Sequence, residues 1–299
     1  MYSRNLESFD GTALAADGYP SPHPNPKGVV VIIHGFAEHR GRYRHLAEYL
    51  NGHGFHVLAG DLRGHGESGG ERGYINRFSD YVDDVTAFVN EATTSVEFPL
   101  DAEAEHCPVL LGHSMGGLVC FEWVLSNPNE AAGLAITSPF FGVKLKVAAW
   151  KKALAMASSL LHPGLRLPNE IDANVLSHDP KVCEAYAKDP LVFHFATARW
   201  FTEMLAIHGD AERRAHQVRL PVLLLQAGDD RLVDSQAAGR VFDRLGSSQK
   251  ELKLYPGMFH EILNETEHQR VYEDLLEWLG LQLQPSHETE PQTLPRNPG

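Results

Sequence analysis

Residues 110–120 read LLGHSMGGLVC: an apolar run, a serine with a glycine two positions away on each side, then a second apolar run. With ordinary glycine and serine usage, some G-x-S-x-G arises by chance in roughly one in ten chains of this length, so the pattern alone decides little. Its surroundings constrain much more. Residues 106–112 read as a short buried strand and residues 115–126 as a helix, which puts Ser114 on the turn between them. So sharp a turn forces the serine into a strained backbone conformation and tolerates no colliding side chains beside it. Gly112, Gly116 and Gly117 meet that condition. A serine that only caps a buried helix is the plainer alternative, and the rest of the chain has to decide between them.

Continuously apolar runs such as VVVII at 29–33 and VLLLQ at 222–226 belong in a sheet covered on both faces. Strand-like stretches at 28–33, 56–61, 108–111, 133–137, 222–226 and 251–255 alternate with helical ones at 42–52, 79–94, 115–126, 235–245 and 268–279. This alternation predicts an α/β fold, a mostly parallel central sheet flanked by helices and joined by right-handed crossovers. An Asp10-Gly11 pair marks a hairpin between two further strands at the start of the chain. The alternation lapses between about 140 and 218, where helical segments and the proline-containing runs LHPGLRLP, HDP and KDP replace buried strands. The expected organisation is therefore a core domain of residues 1–139 and 219–280 interrupted by a helical cap, 140–218. Within it, residues 143–161 set Lys144, Lys146, Lys151 and Lys152 beside an apolar face that includes Trp150, Leu154 and Leu161. Packing on the core is the simpler use of that face, and transient contact with a lipid surface the other. The tail, 281–299, carries prolines at 285, 291, 295 and 298 and reads as disordered.

Bulk properties exclude several classes. Lys plus Arg total 26 against 39 Asp plus Glu, a formal charge of −13, which gives no electrostatic reason to bind nucleic acid. The opening MYSRNLESFDG has no apolar leader and the longest aliphatic run, Val29 to Ile33, is far short of a membrane span, so a cytoplasmic location is expected. Cys107, Cys120 and Cys183 show no metal spacing, and Cys107 and Cys120 read as buried thiols.

A serine hydroxyl is a weak nucleophile until an imidazole takes its proton, and a carboxylate must fix that imidazole's tautomer and stabilise its charge. In this architecture the chain order is serine, acid, histidine, with each partner just after a later strand. The strand PVLLLQ ends in Ala227-Gly228-Asp229-Asp230, and ELKLY ends in Pro256-Gly257-Met258-Phe259-His260. Of 17 histidines, His260 is the only one just after the last strand. Asp230 is the chosen acid, with Asp229 as the alternative one residue earlier, while Asp234 reads as the start of a helix. The backbone N–H groups of Met115, after the nucleophile, and Phe36, after the first long strand, are the expected donors to a developing oxyanion. GHGESG at 64–69 fits G-x-G-x-x-G, but no helix opens there and no following strand ends in an acid about 20 residues on, so a dinucleotide site is not expected. His260-Glu261 would start a zinc motif H-E-x-x-H, yet residue 264 is Asn, and neither metal nor cofactor is expected.

With these residues in view, the chain from about 29 to 279 resembles the α/β-hydrolase superfamily, and within it the monoacylglycerol lipase and lysophospholipase group. The resemblance rests on HGFAEHRGRY, DLRGHGESGGERG, GHSMGG, LLLQAGDDRLVDS and YPGMFHEILNE, with DPLV and TARW in the cap. It implies the α/β-hydrolase fold, Ser114, Asp230 and His260 as a triad, and the Phe36 and Met115 amides as oxyanion donors. It also implies that Glu38, Arg42, His113 and Tyr186 lie near a polar head group, although Glu38 and Arg42 would equally make a loop-shaping ion pair and His113 a packed elbow residue. Some relatives carry a second histidine three positions after the catalytic one; here that position is Leu263. The expected partner is a small lipid ester cleaved at its carboxylic ester bond. The rivals are a lysophospholipase, a short-ester carboxylesterase, an aminopeptidase using Glu170, Asp172 or Glu184 to grip an ammonium, and a binding module without turnover. Oligomeric state is left open.

Overall fold

A computed structural model describes residues 1–101, 107–142, 144, 156–169 and 171–283. Eight strands form one sheet in the order β1-β2-β4-β3-β5-β6-β9-β10. β1 (Tyr2–Glu7) and β2 (Ala13–Tyr19) make the hairpin expected around Asp10-Gly11, and β2 runs antiparallel to β4 (Phe55–Gly60). All other neighbours are parallel: β3 (Gly28–Ile33), β5 (Val109–His113), β6 (Gly133–Thr137), β9 (Val222–Ala227) and β10 (Lys250–Tyr255).

The strands are apolar throughout because both faces are covered. Val29, Val31 and Ile33 enter one core cluster and Val30 and Ile32 the other, the two-residue period of a strand sending alternate side chains to opposite sides. α2 (Ser79–Thr94), α3 (Met115–Ser126) and α6 (Ser235–Arg244) supply the first cluster, while α1 (Arg44–Gly52) and α7 (His268–Gln282) close the second. Helix α7 ends two residues inside the stretch read as a tail, and residues 284–299 lie outside the described ones. Cys120 is buried, whereas Cys107 is partly exposed.

The chain between β6 and β9 forms the insertion. Residues 156–161 are helical, followed by α4 (Pro180–Lys188) and α5 (Ala198–Arg214). Asp179 caps α4 by accepting from Lys181 N–H, with Pro180 in the first turn where its missing donor costs nothing. The insertion also holds a pair of three-residue strands, β7 (Arg166–Pro168) and β8 (Phe195–Thr197), antiparallel with Arg166 opposite Thr197. Three residues are too few to show an alternating pattern, which is why the sequence reads there as strandless. Most of the proposed lipid-facing stretch, including Lys146, Trp150, Lys151, Lys152 and Leu154, lies outside the described residues. Among the described residues no helix is long and apolar enough to cross a membrane.

The parallel register brings the ends of β3, β5, β6, β9 and β10 to one edge, pairing Ile33 with Gly112, His113 with Thr137 and Ala227 with Tyr255. Every candidate site residue except Tyr186, which comes from α4, lies at or just beyond that edge: Phe36, Glu38 and Arg42 after β3, His113 at the end of β5, Ser114 and Met115 where α3 begins, Asp230 after β9 and His260 after β10.

Candidate active site

Ser114 sits between β5 and α3 at φ 51°, ψ −115°, a left-handed conformation that non-glycine residues rarely adopt. Its backbone is held on both sides: Ser114 N–H donates to Thr137 O at 2.9 Å, and its carbonyl accepts from Gly117 N–H at 3.1 Å and Phe140 N–H at 2.9 Å. The turn closes because its neighbours lack side chains. A Cβ on Gly112 would stand 2.5 Å from Gly116 O, and one on Gly116 would stand 2.3 Å from Ile33 O. Gly117 is less constrained, its nearest neighbour being the Pro139 side chain at 3.1 Å.

His260, after β10, is buried and its Nδ1 lies 2.8 Å from Asp230 Oδ2. The other carboxylate oxygen accepts from the N–H groups of Leu232 and Val233 at 2.9 and 3.0 Å. Asp230 is 2% exposed, whereas Asp229 faces solvent, so only Asp230 is placed to serve the imidazole. Burial disfavours charge on both groups, and their mutual attraction outweighs it: the His260 pKa is raised and that of Asp230 lowered from its ordinary value. Asp234 caps α6 by accepting from Gln236 N–H at 3.0 Å. Ser114 and His260 line the same cavity, with no hydrogen bond between their side chains in this arrangement; such contacts often tighten only when substrate binds.

The loop after β3 presents the second half of the edge. Ala37 takes φ 64°, and Gly35 N–H donates to Glu38 Oε1 at 2.6 Å, folding residues 35–38 tightly. Among the described residues, neither Phe36 N–H nor Met115 N–H donates to another protein group, and both residues border the cavity beside Ser114.

Glu38, His113 and Tyr186 also line the cavity; Arg42 lies behind its wall. Arg42 is clamped, 2.5 Å from Glu38 Oε2 and bonded through both terminal nitrogens to Glu261 at 2.7 and 2.6 Å, with its guanidinium 4.9 Å from the Tyr186 ring centre. Burial opposes ionisation of Glu38, but Arg42 holds its carboxyl well below the usual range. Glu261, which also lines the cavity, is the member that sequence reading missed. Its partner lies 219 residues away, so the only available signal was an acid next to His260. His113 Nδ1 lies 2.9 Å from Thr137 Oγ1, and burial, then the charge on His260, pushes its pKa down to about 4, leaving it neutral at pH 7. Among the described residues no His, Cys, Asp and Glu cluster is placed to hold a metal ion.

The cavity is about 520 Å³ in volume. Beyond the residues at the sheet edge its wall is mainly aliphatic and aromatic, with Leu165, Leu167, Ile171, Leu176, Trp200, Phe201, Met204 and Leu205 from the insertion and Leu232 and Val233 from the loop after β9.

A strained serine after a central strand, an Asp-His pair on later strand ends and an insertion over the edge define an α/β-hydrolase. A family model described as serine aminopeptidase, S33, matches residues 24–267. Monoacylglycerol lipase of Mycolicibacterium smegmatis is 34% identical over 280 residues, covering 93% of this chain and 97% of its own. Phospholipase YtpA of Bacillus subtilis is 36% identical over 252 residues, 83% of this chain and 93% of its own. The crystal structure of Paleococcus ferrophilus monoacylglycerol lipase superposes with a TM-score of 0.80 at 29% identity, covering 90% of this chain and 99% of that one. The chain belongs to this family of α/β-hydrolases and is an enzyme of the carboxylic ester hydrolase class.

Proposed function

We propose that the protein cleaves carboxylic esters of single-chain lipids, monoacylglycerols foremost, through an acyl-enzyme on Ser114. One observation carries this reading: the strained serine and the Asp230-bound imidazole open onto a cavity with a largely apolar wall. Ser114 Oγ attacks the ester carbonyl and its proton passes to His260 Nε2. The Phe36 and Met115 amides take the oxyanion, and His260 then protonates the departing glycerol oxygen. Water, deprotonated by the same imidazole, releases the fatty acid. The scheme needs no cofactor.

In this reading residues 1–139 and 219–280 are the catalytic core, and 140–218 is a cap whose side chains wall the acyl cavity. Glu38, His113 and Tyr186 face the head group, with Arg42 holding Glu38 in place. Met156, Leu160 and Leu161 are 60%, 80% and 75% exposed, close in sequence to the wall residues Ser158 and Leu165, and would touch a lipid surface transiently as substrate enters. The relatives named for monoacylglycerol and phospholipid hydrolysis support a lipid substrate.

An aminopeptidase needs a carboxylate to hold its substrate's ammonium. Glu38 and Glu261 are both engaged by Arg42, Asp172 caps a turn at Asn174 N–H, exposed Glu184 pairs with Lys188, and Glu170 lies outside the described residues. The lipid ester is therefore the better fit.

Ser114→Ala should lower monoacylglycerol turnover by several orders of magnitude and abolish labelling by a fluorophosphonate. Retention of near-full hydrolysis would overturn the assignment, and a folded wild-type protein that the probe leaves untouched would favour a binding module. A series of acyl lengths on glycerol and phosphoglycerol head groups separates a monoacylglycerol lipase from a lysophospholipase.

A further inference from the structure

DPLV and TARW, at 189–192 and 197–200, stand out in the insertion, yet neither supplies a reacting group. Together they grip the loop that carries Phe36. Asp189 Oδ2 lies 2.9 Å from His39 Nε2, and Phe193 N–H donates to Ala37 O at 3.3 Å. The Phe36 ring packs against the insertion on two sides and the core on another: Phe193 meets it edge-on at 5.4 Å, Trp200 stacks on it with ring centres 3.8 Å apart and planes 28° from parallel, and His65 of the core meets it edge-on at 5.7 Å. Trp200 is itself fixed. Thr197 Oγ1 accepts from Trp200 N–H at 3.3 Å and donates to Gly73 O at 2.8 Å, Arg199 Nε donates to Asn76 O at 2.9 Å, and Ala198 N–H donates to Leu165 O at 2.8 Å. Each residue of TARW thereby contributes to holding the indole against Phe36 or anchoring the helix that carries it.

An oxyanion donor works only if its N–H points at the place where charge develops, and a misplacement of about 1 Å can cost around 10²-fold in rate. The Phe36 amide lies in a six-residue loop, 34–39, with a left-handed residue at Ala37. Within the core domain, Gly35 and Glu38 hold that loop and His65 touches the Phe36 ring edge-on, while its nearest ring partner, and its only stacked one among the described residues, comes from a helix of the insertion.

We propose that Trp200 is a positioning residue for the oxyanion hole: by stacking on Phe36 it fixes the direction of the Phe36 N–H, making the insertion part of the catalytic framework as well as a wall. This rests on the serine-esterase reading above. Trp200 also borders the cavity, so the test must separate positioning from substrate contact.

The experiment compares Trp200→Leu, Trp200→Phe and Phe193→Leu with wild type on an acetyl ester and a medium-chain monoacylglycerol, after thermal melts confirm folding. Trp200→Leu is expected to lower kcat about 10- to 100-fold on both esters with KM little changed, and to slow fluorophosphonate labelling of Ser114 in proportion. Trp200→Phe, which keeps a ring able to stack, restores most of that loss, and Phe193→Leu gives a smaller, equally length-independent one. A defect in KM alone, or one seen only with the longer acyl chain, would make Trp200 a wall residue and overturn the proposal. So would a Phe variant as slow as the Leu variant. If Trp200→Leu does not fold, Phe193→Leu decides: an unchanged kcat on both esters overturns it. A wild-type enzyme inert toward ester and probe alike would instead refute the esterase reading.

Discussion

At the scale of single residues, the proposed Asp230-His260 pair should set the pH dependence. In the mechanism proposed above His260 must be neutral to take the Ser114 proton, so kcat/KM should rise with pH through the imidazole's pKa. Burial alone would push that pKa down; Asp230 more than reverses this, so the acid limb of the profile lies above the ordinary imidazole value of about 6.5. Asp230→Asn removes the largest raising charge and leaves burial, opposed only by the smaller influence of Glu261 and Glu38. The expected result is a kcat lower by about 10⁴-fold, with the residual activity's acid limb moved to lower pH. A limb that stays in place would show that another group controls the profile. The pair also shows what a sequence reveals at this scale. His260 was legible because no other histidine stands just after the last strand, whereas Asp229 and Asp230 are adjacent and chemically identical. Folding separates them, burying one against Leu232 and Val233 N–H and turning the other to solvent. Glu261 was illegible because its meaning depends on Arg42, at the other end of the chain.

Among elements, the parallel strands and their flanking helices were readable because each is a long apolar or periodic run, with α2, α3 and β6 beginning and ending where the pattern does. Expected helix 42–52 begins differently: residues Arg40–Tyr43 form a 3₁₀ turn before α1 starts at Arg44. The insertion resisted reading because its strands are short and its helices pack on surfaces the sequence does not reveal. Glycine positions illustrate how element packing reverses the sign of one substitution. At Gly116, where α3 meets the end of β3, a methyl group would lie 2.3 Å from Ile33 O and 2.4 Å from His34 O, backbone atoms that cannot yield cheaply. Gly116→Ala should therefore destabilise the protein by about 1–3 kcal/mol. It should also impair catalysis, because the same backbones carry Ser114 and the Phe36 loop. At Gly209 in α5 and Gly239 in α6, nothing lies within 4 Å of the added carbon, so alanine should stabilise by about 0.5–1 kcal/mol through helix propensity. Thermal melts of the three variants check this, and a Gly116→Ala protein as stable as wild type would contradict the close approach.

On the scale of the whole molecule, the insertion divides into two parts that are bound to the core differently. Helix α5 and the strand before it belong to the large apolar cluster, contributing Ala196, Trp200, Met204 and Ala211. Residues 171–192 instead form a small apolar cluster around Leu176, Tyr186 and Val192, with Ser177 and Cys183 also buried. They are tied down by polar links: His39 to Asp189, His178 to Glu265 at 2.8 Å, Ser177 Oγ to Asn264 O and Glu261 N–H to Leu176 O. Partly exposed ion pairs of this kind contribute about 1 kcal/mol or less each, well below what large apolar burial supplies to α5. The two parts should therefore open with different free energies, residues 171–192 in a local transition and α5 only with the sheet. Such a division suits the chemistry proposed above, since Ile171, Leu176 and Tyr186 line the cavity and their departure would admit a lipid while Trp200 kept Phe36 in place. Native-state hydrogen exchange tests it directly. Amides in α4 should exchange through an opening several kcal/mol cheaper than those in β3, β5 and β9, with the middle of α5 matching the strands. Equal protection in α4 and α5 would mean that the insertion moves as one body, and that any opening wide enough for substrate also releases the oxyanion loop.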